Sequence, residues 1–235
     1  MGFTIKGGTS IKNKGVVTDG LVFYVDAANE NSYPGTGTTW TDLVAGAEGT
    51  LTNGPTYSSD NGGLILTDGV DDFINFNSHA SVVPLSEGTI EIFFRSALNT
   101  GNFESIFFFQ IDSDNRIRIF GRQGTAIRCN YEGQNVGRSR DIPIANFSSS
   151  SFSMITVTYS DSSDEYKVYL DGVQIGSTLN SVSALTGTAS TFRLGANNSG
   201  SNTEDLDISS LKIYDRALTS AEITQNYNAL KNRFI

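Results

Sequence analysis

Short apolar runs separated by polar turns follow one another along most of the chain, a pattern typical of β-strands. Ile90, Ile92 and Phe94 fall in one phase and Glu91 in the other, which predicts a strand with one face toward a core. The unbroken apolar run at residues 21–25 predicts a strand covered on both faces. The same reasoning predicts further strands at residues 63–67, 72–76, 88–95, 105–111, 115–122, 125–131, 152–159, 165–170, 173–176, 191–194 and 205–214.

Glycine-containing turns connect several of these segments. Asp171 and Gly172 both tolerate the positive φ that a type I′ turn requires, so they predict a hairpin. Residues 121–124 predict a second hairpin, and residues 68–69 a turn between their flanking strands. Strands joined by such short turns are antiparallel.

The last predicted strand contains a break in its alternation. Leu206 and Ile208 share a phase that Leu211 and Ile213 do not. A bulge near residues 209–210 would return both pairs to the core, because one extra residue reverses the phase of a strand.

One segment has the signature of a helix. Thr219 can act as N-cap, and Glu222 stands three residues later, which together form a capping box. Ile223, Tyr227 and Leu230 then form an apolar stripe at helical spacing. This predicts one short helix, at residues 221–231, that docks on a sheet because it is too short to be stable alone.

The first 18 residues differ in composition from the rest. They hold Lys6, Lys12 and Lys14, no acidic residue and few apolar positions, which predicts an extended arm of charge +3. The net charge of −9 leaves −12 for the rest, an acidic body that disfavours nucleic acid. We therefore predict an arm at residues 1–18 and one domain at residues 19–235.

The rest of the composition argues against membrane insertion and against a disulfide framework. No apolar run approaches the ~20 residues that cross a bilayer, and the first residues lack a signal peptide's apolar region. Cys129 is the only cysteine, and its apolar neighbours at alternate positions predict a buried structural thiol. His79 is the only histidine, so zinc sites and Ser-His-Asp triads are not supported; we expect it in an exposed loop.

Five motifs resemble the laminin-G-like, concanavalin A-like family. They are Trp-Thr-Asp-Leu at 40–43, the segment 49–54, Asp-Gly-Val-Asp-Asp-Phe-Ile at 68–74, Tyr-Leu-Asp-Gly-Val-Gln-Ile-Gly at 169–176 and Leu-Lys-Ile-Tyr-Asp-Arg-Ala-Leu at 211–218. The resemblance implies an all-β fold, an antiparallel jelly-roll β-sandwich with one short C-terminal helix. Versions with these opening and closing motifs are frequent among structural proteins of tailed phages.

Some motif residues have structural roles that need no ligand. We expect Trp40 to plug a loop onto the core, and Tyr214 with Arg216 to tie the final strand to the helix. The Phe-rich segments predict core packing because their alternation points about half of the rings inward. The six phenylalanines concerned are Phe93, Phe94, Phe103, Phe107, Phe108 and Phe109.

The family includes glucanases, so catalysis has to be considered. Glycoside hydrolysis needs two carboxylates that flank the scissile bond, which the related glucanases carry on one strand as Glu-x-Asp-x-(x)-Glu. Glu91 is the only acid in its strand, and Asp112 and Asp114 lie in a turn. The sequence therefore predicts that the protein is not an enzyme.

Calcium is possible but is not predicted. Relatives sometimes bind it through loop acids, and this chain offers such acids in two segments. It lacks the glycine-led turn that usually precedes the closing strand, and Asp residues are common in turns without a metal. The acids are Asp68, Asp71, Asp72, Asp205 and Asp207.

An arginine cluster is the candidate binding surface. Arg116, Arg118 and Arg122 share one strand face with Phe120, and Arg128 joins them if the next strand pairs back. Arginine forks bind carboxylate, phosphate or sulfate, and an aromatic ring between them suits a sugar. The hypothesis is an anionic glycan or an acidic protein surface; the alternative is a solvated face whose charges offset nearby acids.

These observations support two functions. The first is a non-enzymatic virion structural, decoration or appendage protein, made in the host cytoplasm and anchored to other virion proteins through the arm and its Lys6, Lys12 and Lys14. By analogy with phage appendages, it would be a homo-oligomer. The alternative is an adhesin or lectin domain that recognises cell-surface glycans, and no cofactor is predicted for either.

Overall fold

The computed structural model describes residues 15–97 and 102–234. In these ranges, sixteen strands form two eight-stranded sheets in which every pairing is antiparallel. The strands are β1 (Leu21–Asp26), β2 (Thr39–Thr41), β3 (Glu48–Thr52), β4 (Thr56–Ser58), β5 (Leu64–Leu66), β6 (Phe73–Asn75), β7 (Glu87–Ser96), β8 (Asn102–Asp112), β9 (Asn115–Arg122), β10 (Ala126–Gly133), β11 (Val136–Pro143), β12 (Ser153–Ser160), β13 (Glu165–Leu170), β14 (Val173–Gln174), β15 (Thr191–Leu194) and β16 (Leu206–Tyr214).

The two sheets interleave along the chain. The first sheet has the order β14-β13-β12-β7-β16-β5-β4, with β1 also paired to β16. The second has the order β11-β10-β9-β8-β15-β6-β3-β2. One α-helix, α1 (Ser220–Leu230), follows the last strand, and short 3₁₀ helices lie at Asp60–Gly62, Asn77–Val82, Ile144–Asn146 and Lys231–Phe234. The predicted antiparallel β-sandwich with one C-terminal helix is confirmed.

The core lies between the sheets and is built from the alternate positions of their strands. Ile90, Ile92 and Phe94 are all buried in it, as their phase predicts. Phe23, Phe76 and Phe192 pack ring against ring, with centroids 5.1–5.4 Å apart, while Trp40 and Cys129 are also fully buried. Aromatic rings supply much of the apolar area that stabilises a sandwich of this size.

The predicted bulge in the last strand is present. The pairing of β16 with β7 shifts register between Ile208 and Ser210. Leu206, Ile208, Leu211 and Ile213 all face the core as a result. The extra residue therefore does what the phase change in the sequence requires.

The predicted hairpins are also present, and one predicted turn has a different role. Asp171 and Gly172 have φ values of 51° and 83°, as a type I′ turn requires. β9 and β10 pair directly across the turn that includes Gln123 and Gly124. The turn at residues 68–69 joins β5 in one sheet to β6 in the other, so it crosses the sandwich and closes no hairpin.

Four observed strands were not predicted: β2, β3, β4 and β11. β2 and β4 have three residues each, and β3 is rich in Gly and Thr, so none has a readable alternation. β11 buries only Ile142. It pairs along the whole of β10, whose register holds an otherwise polar segment in the sheet.

α1 covers the outer face of the first sheet. Thr219 and Glu222 form the predicted capping box, with the Thr219 hydroxyl accepting from the Glu222 amide. Ile223 and Leu230 pack in a cluster with Phe93 and other outward residues of the first sheet. Among the helices that the structure describes, none combines the length and hydropathy needed to cross a bilayer.

Tyr214 and Arg216 tie the final strand to α1, as expected. The Tyr214 hydroxyl accepts from the side-chain amide of Asn226, 2.9 Å away. The Arg216 guanidinium donates to both oxygens of Glu222, at 3.1 and 2.7 Å. This ion pair holds the pKa of Glu222 down, at about 2.

The described part of the predicted arm, residues 15–18, packs against the domain. Val17 is 9% exposed, its amide donates to Asn226 Oδ1 at 2.7 Å, and its carbonyl accepts from the Tyr214 hydroxyl. The Gln225 side chain donates to the carbonyl of Gly15. These contacts place the start of the described chain beside α1. Lys6, Lys12 and Lys14 lie outside the described residues.

Candidate functional site

The outer face of the second sheet carries the predicted arginine cluster. Alternation turns Arg116, Arg118 and Arg122 of β9 outward with Phe120, and places Arg128 of β10 opposite Phe120. Cross-strand pairing arranges this face in rows. One row runs Arg193, Phe108, Arg118, Asn130; a second runs Gln110, Arg116, Glu132; a third runs Ser105, Phe120, Arg128, Asp141.

A groove of about 320 Å³ opens on this face. Its floor is formed by outward residues of β8 and β9, and one wall by the loop after β15. No aspartate or glutamate is among its described lining residues. These are Phe103, Ser105, Phe108, Gln110, Ser113, Arg116, Arg118, Phe120, Asn197, Asn198 and Asn202. The structure thus brings Arg116, Arg118 and Phe120 into one groove, and leaves Arg122 and Arg128 outside its lining.

Three of the four predicted arginines form ion pairs with two acids on β10 and β11. Arg116 Nε lies 2.7 Å from Glu132 Oε2. Arg122 and Arg128 share Asp141, each with a 2.6 Å contact. Hydrogen bonding from Arg128 lowers the pKa of Asp141 despite its partial burial. For these residues, the structure matches the alternative of a charged face offset by nearby acids.

Arg118 is the exception. Its Nε and Nη2 both donate to Oδ1 of Asn130, at 3.2 and 2.9 Å, and Asn130 carries no charge. The guanidinium lies over the Phe120 ring, 5.0 Å from the centroid. Burial, and then the neighbouring charge of Arg116, lowers the pKa of Arg118 to about 10, which leaves it a cation at neutral pH. Within the described ranges, its Nη1 has no hydrogen-bond partner.

The exposed aromatic residue of the groove is Phe103, not Phe120. Phe120 is 4% exposed because the Phe103 ring stacks on it, with centroids 5.6 Å apart, and Arg118 covers it. Phe103 is 49% exposed and has a φ of 73°. A bulky residue in the left-handed region is strained, and such strain is concentrated at functional sites. The prediction that the phenylalanines pack in the core holds for Phe94, Phe107 and Phe109. Phe93 packs under α1, Phe108 is buried but lines the groove, and the prediction is wrong for the exposed Phe103.

The loop at 197–202 forms a preorganised wall. Asn197 Oδ1 accepts from the amides of Ser199 and Ser201, and Arg193 Nη1 donates to the carbonyls of Asn197 and Asn198. The side chains of Asn198 and Asn202 are exposed at the groove. Amide groups both donate and accept, which suits a ligand rich in hydroxyls.

Three of the acids considered for calcium lie together, and one of them forms a turn. Carboxylate oxygens of Asp68, Asp71 and Asp72 lie within 4.8 Å of one another. Asp68 Oδ1 accepts from the amides of Val70 and Asp71, which lowers the pKa of Asp68. This is the hydrogen bonding of an Asx turn.

A second cavity is acidic but small. It measures about 110 Å³ and includes Asp68, Glu104, Glu204 and Asp205 among its lining residues. Glu204 Oε1 accepts from the Ser96 hydroxyl at 2.6 Å, and burial raises the pKa of Glu204 to about 8. This cavity has about a third of the groove's volume.

His79 has a structural contact. It lies half-buried in a 3₁₀ helix, and its Nε2 accepts from the backbone amide of Glu48 at 3.2 Å. It is therefore not the exposed loop residue that we expected. Cys129 is buried and unpaired, which confirms the structural thiol.

A family profile matches the chain over residues 68–224, which is more than half of its 235 residues. The profile describes the concanavalin A-like lectin/glucanases superfamily. A search of curated protein sequences gave no significant match.

Several solved structures share the fold. Domain 4 of AbnA, a GH43 extracellular arabinanase from Geobacillus stearothermophilus solved with arabinotriose, superposes with a TM-score of 0.68 at 16% identity, over 88% of this chain and 98% of that one. The botulinum neurotoxin type G receptor binding domain gives 0.67 at 13% identity, over 89% and 51%. Trypanosoma rangeli sialidase with sialic acid gives 0.64 at 17%, over 91% and 33%. This chain thus spans about half and a third of the last two, and the identities show a common fold.

Proposed function

Since the chain belongs to the concanavalin A-like lectin/glucanases superfamily, we propose that it is a non-enzymatic module that binds carbohydrate in the groove of its second sheet. The observation that carries this proposal is the exposed Phe103 ring beside Arg118 and the amides of Gln110, Asn198 and Asn202. An aromatic face stacks on the C–H face of a sugar, while amides pair with its hydroxyls.

Binding is favoured over hydrolysis by the chemistry of the lining. The described lining residues include two arginines and no acid, so the groove has no pair of carboxyl groups for glycoside cleavage. The arabinanase domain solved with arabinotriose is similar in fold and supports sugar binding as a use of such a domain. The sialidase and arabinanase chains also show that this fold occurs in glycosidases.

The experiment is a glycan array read with the purified protein and with Phe103→Ala. We expect a defined set of glycans to bind the natural protein and to lose most of their signal with the variant, because the stacking face is gone. Val173→Ala is the matched control, since Val173 is an exposed apolar residue in the hairpin beside α1. Equal signals for Phe103→Ala and the natural protein would exclude this groove, and released reducing sugar would contradict the non-enzymatic role.

We also propose that residues 1–14, with Lys6, Lys12 and Lys14, attach the domain to a virus particle, as one copy of a homo-oligomer. Val17 leads into the domain beside α1, on the outer side of the first sheet, whereas the groove lies on the outer side of the second. Attachment through the arm would therefore leave the groove facing away from the particle. The phage-like opening and closing motifs support a place on a virus particle.

Deletion of residues 1–14 tests the attachment. We expect the shortened protein to fold and bind glycans like the full chain but to be absent from purified particles. Replacement of Lys6, Lys12 and Lys14 by Ala should reduce incorporation less than the deletion. Normal incorporation of the deleted form would show that the arm is not the anchor, and sedimentation of both forms would measure the oligomeric state.

A further inference from the structure

We infer that the sugar bound in this groove is acidic, and that Arg118 binds its carboxylate or sulfate group. This inference rests on the proposed function and specifies the ligand class. The acids on the outer face of the second sheet are unevenly distributed among its arginines. Glu132 pairs with Arg116, and Asp141 pairs with both Arg122 and Arg128, so Arg118 is the predicted arginine left with a neutral partner.

The geometry of Arg118 leaves one usable edge of its guanidinium. Asn130 accepts from Nε and from Nη2, which occupies the side edge of the fork. An arginine has five N–H donors, so two on Nη1 and one on Nη2 remain. Together they offer the end-on pair of parallel donors that matches the two oxygens of a carboxylate or sulfate.

The surroundings of Arg118 favour an anion and hold the side chain in place. The Phe120 ring lies beneath the guanidinium, and Asn130 fixes its orientation from the neighbouring strand. A partly buried cation close to Arg116 is destabilised by lost hydration and by like charge, and an anionic ligand relieves both. The direction of the pKa shift of Arg118 agrees with this account.

A second cation lies in the same row. Arg193 is across Phe108 from Arg118, two strands away, or about 10 Å at the usual strand spacing. Its Nη1 binds backbone carbonyls, and within the described ranges it pairs with no acid. Because the whole protein has a net charge of −9, the preference for an acidic sugar comes from contacts in the groove and not from long-range attraction.

The test compares matched probes by titration calorimetry at fixed ionic strength. Trigalacturonic acid and its carboxyl-reduced form, galactotriose, differ in the carboxylate; a 6-sulfated galactotriose provides the sulfate arm. We expect at least one acidic probe to bind tenfold or more tightly than galactotriose. Arg118→Gln should remove this preference and keep the weaker binding of galactotriose. Arg122→Gln is the control, because that arginine is paired with Asp141 outside the lining.

The outcomes separate the two proposals. Equal affinities for acidic and neutral probes, all lost in Phe103→Ala, would overturn the acidic ligand and leave the carbohydrate-binding function standing. A preference that survives Arg118→Gln would also overturn the assignment to Arg118. If the natural protein binds no glycan on the array and none of the three probes, the proposed function itself is wrong. Urea unfolding of Arg118→Gln checks that the variant is folded.

Discussion

The two outer faces of the sandwich differ in whether their charged side chains are buried or exposed. On the first sheet, Glu91 and Lys212 are each 1% exposed and lie 3.9 Å apart, and Asn226 of α1 bonds to Glu91. On the second sheet, charged side chains remain at the surface, and Arg118 has no acid partner among the residues that the structure describes. One face is completed by the chain itself, whereas the other keeps a groove for another molecule.

The comparison shows how alternate charged positions on a strand can serve either packing or recognition. Glu91 is held by Asn226, whose Nδ2 donates to Glu91 Oε2 at 2.8 Å and whose Oδ1 accepts from Val17. Burial raises the pKa of Glu91 to about 7. The covered face thus links Glu91, Asn226 and Val17 in one network, which costs desolvation but orients α1 and the start of the domain.

The largest effect is expected from breaking the buried pair. Lys212→Met removes the ammonium and leaves the Glu91 carboxyl buried without it, so we expect the free energy of unfolding to fall by about 3–5 kcal/mol. The double variant Glu91→Gln/Lys212→Met keeps an acceptor for Asn226 and should recover most of that loss. Urea unfolding measures both. A single variant as stable as the natural protein would show that the pair does not hold this face together.

Removing a contact between α1 and the first sheet should lower the free energy of unfolding slightly less than Lys212→Met does. Ile223 is fully buried, and Ile223→Ala is expected to lower the free energy of unfolding by about 2–5 kcal/mol through lost burial and a cavity. Asn198→Ala, at the open groove, is the matched change and should stay within about 0.5 kcal/mol. Similar losses in both variants would contradict the division into a covered and an open face.

A smaller, pH-dependent effect is expected at the start of α1. The Arg216 guanidinium holds the pKa of Glu222 at about 2, below its unfolded value of about 4.3. The stability from this group is therefore complete above about pH 5 and is lost as the pH falls through 2. Glu222→Gln keeps the capping box but not the charge, so it should lower the free energy of unfolding by about 1 kcal/mol at pH 7, and this difference should disappear as the pH falls below 2.

Thermal unfolding of Glu222→Gln and of the natural protein at several pH values measures this difference. If the difference in unfolding temperature between the two proteins stays constant from pH 7 to pH 2, the ion pair with Arg216 does not contribute to stability.

The smallest effect on stability is expected at Phe103. Two substitutions at this position separate backbone strain from sugar binding. Glycine adopts a φ of 73° without cost, so Phe103→Gly should be more stable than Phe103→Ala by about 1 kcal/mol. Both variants should lose affinity for sugars to the same extent, because both lack the ring. If Phe103→Gly is the less stable of the two, the backbone at this position is not strained.

Local patterns predicted the parts of this protein that depend on nearby residues. The alternation in β7, the bulge in β16, the turn at Asp171 and the capping box at Thr219 each follow from a few consecutive side chains. The inward and outward positions of β9 followed in the same way, so Arg116, Arg118 and Arg122 could be placed on one face. Five spaced motifs were enough for the family.

The tertiary structure alone decided which outer face would be covered and which charges would be neutralised. A two-residue period shows which side of a strand a residue occupies, but α1 reaches Glu91 from more than a hundred residues away. Asp141 forms ion pairs with Arg122 and Arg128 from β11, a strand whose polar sequence carries no signal of its own. Phe103 is exposed because its backbone leaves the extended region, which alternation cannot foresee. Pairing register and packing between distant segments set these features, and they are what distinguish a binding groove from an ordinary charged strand.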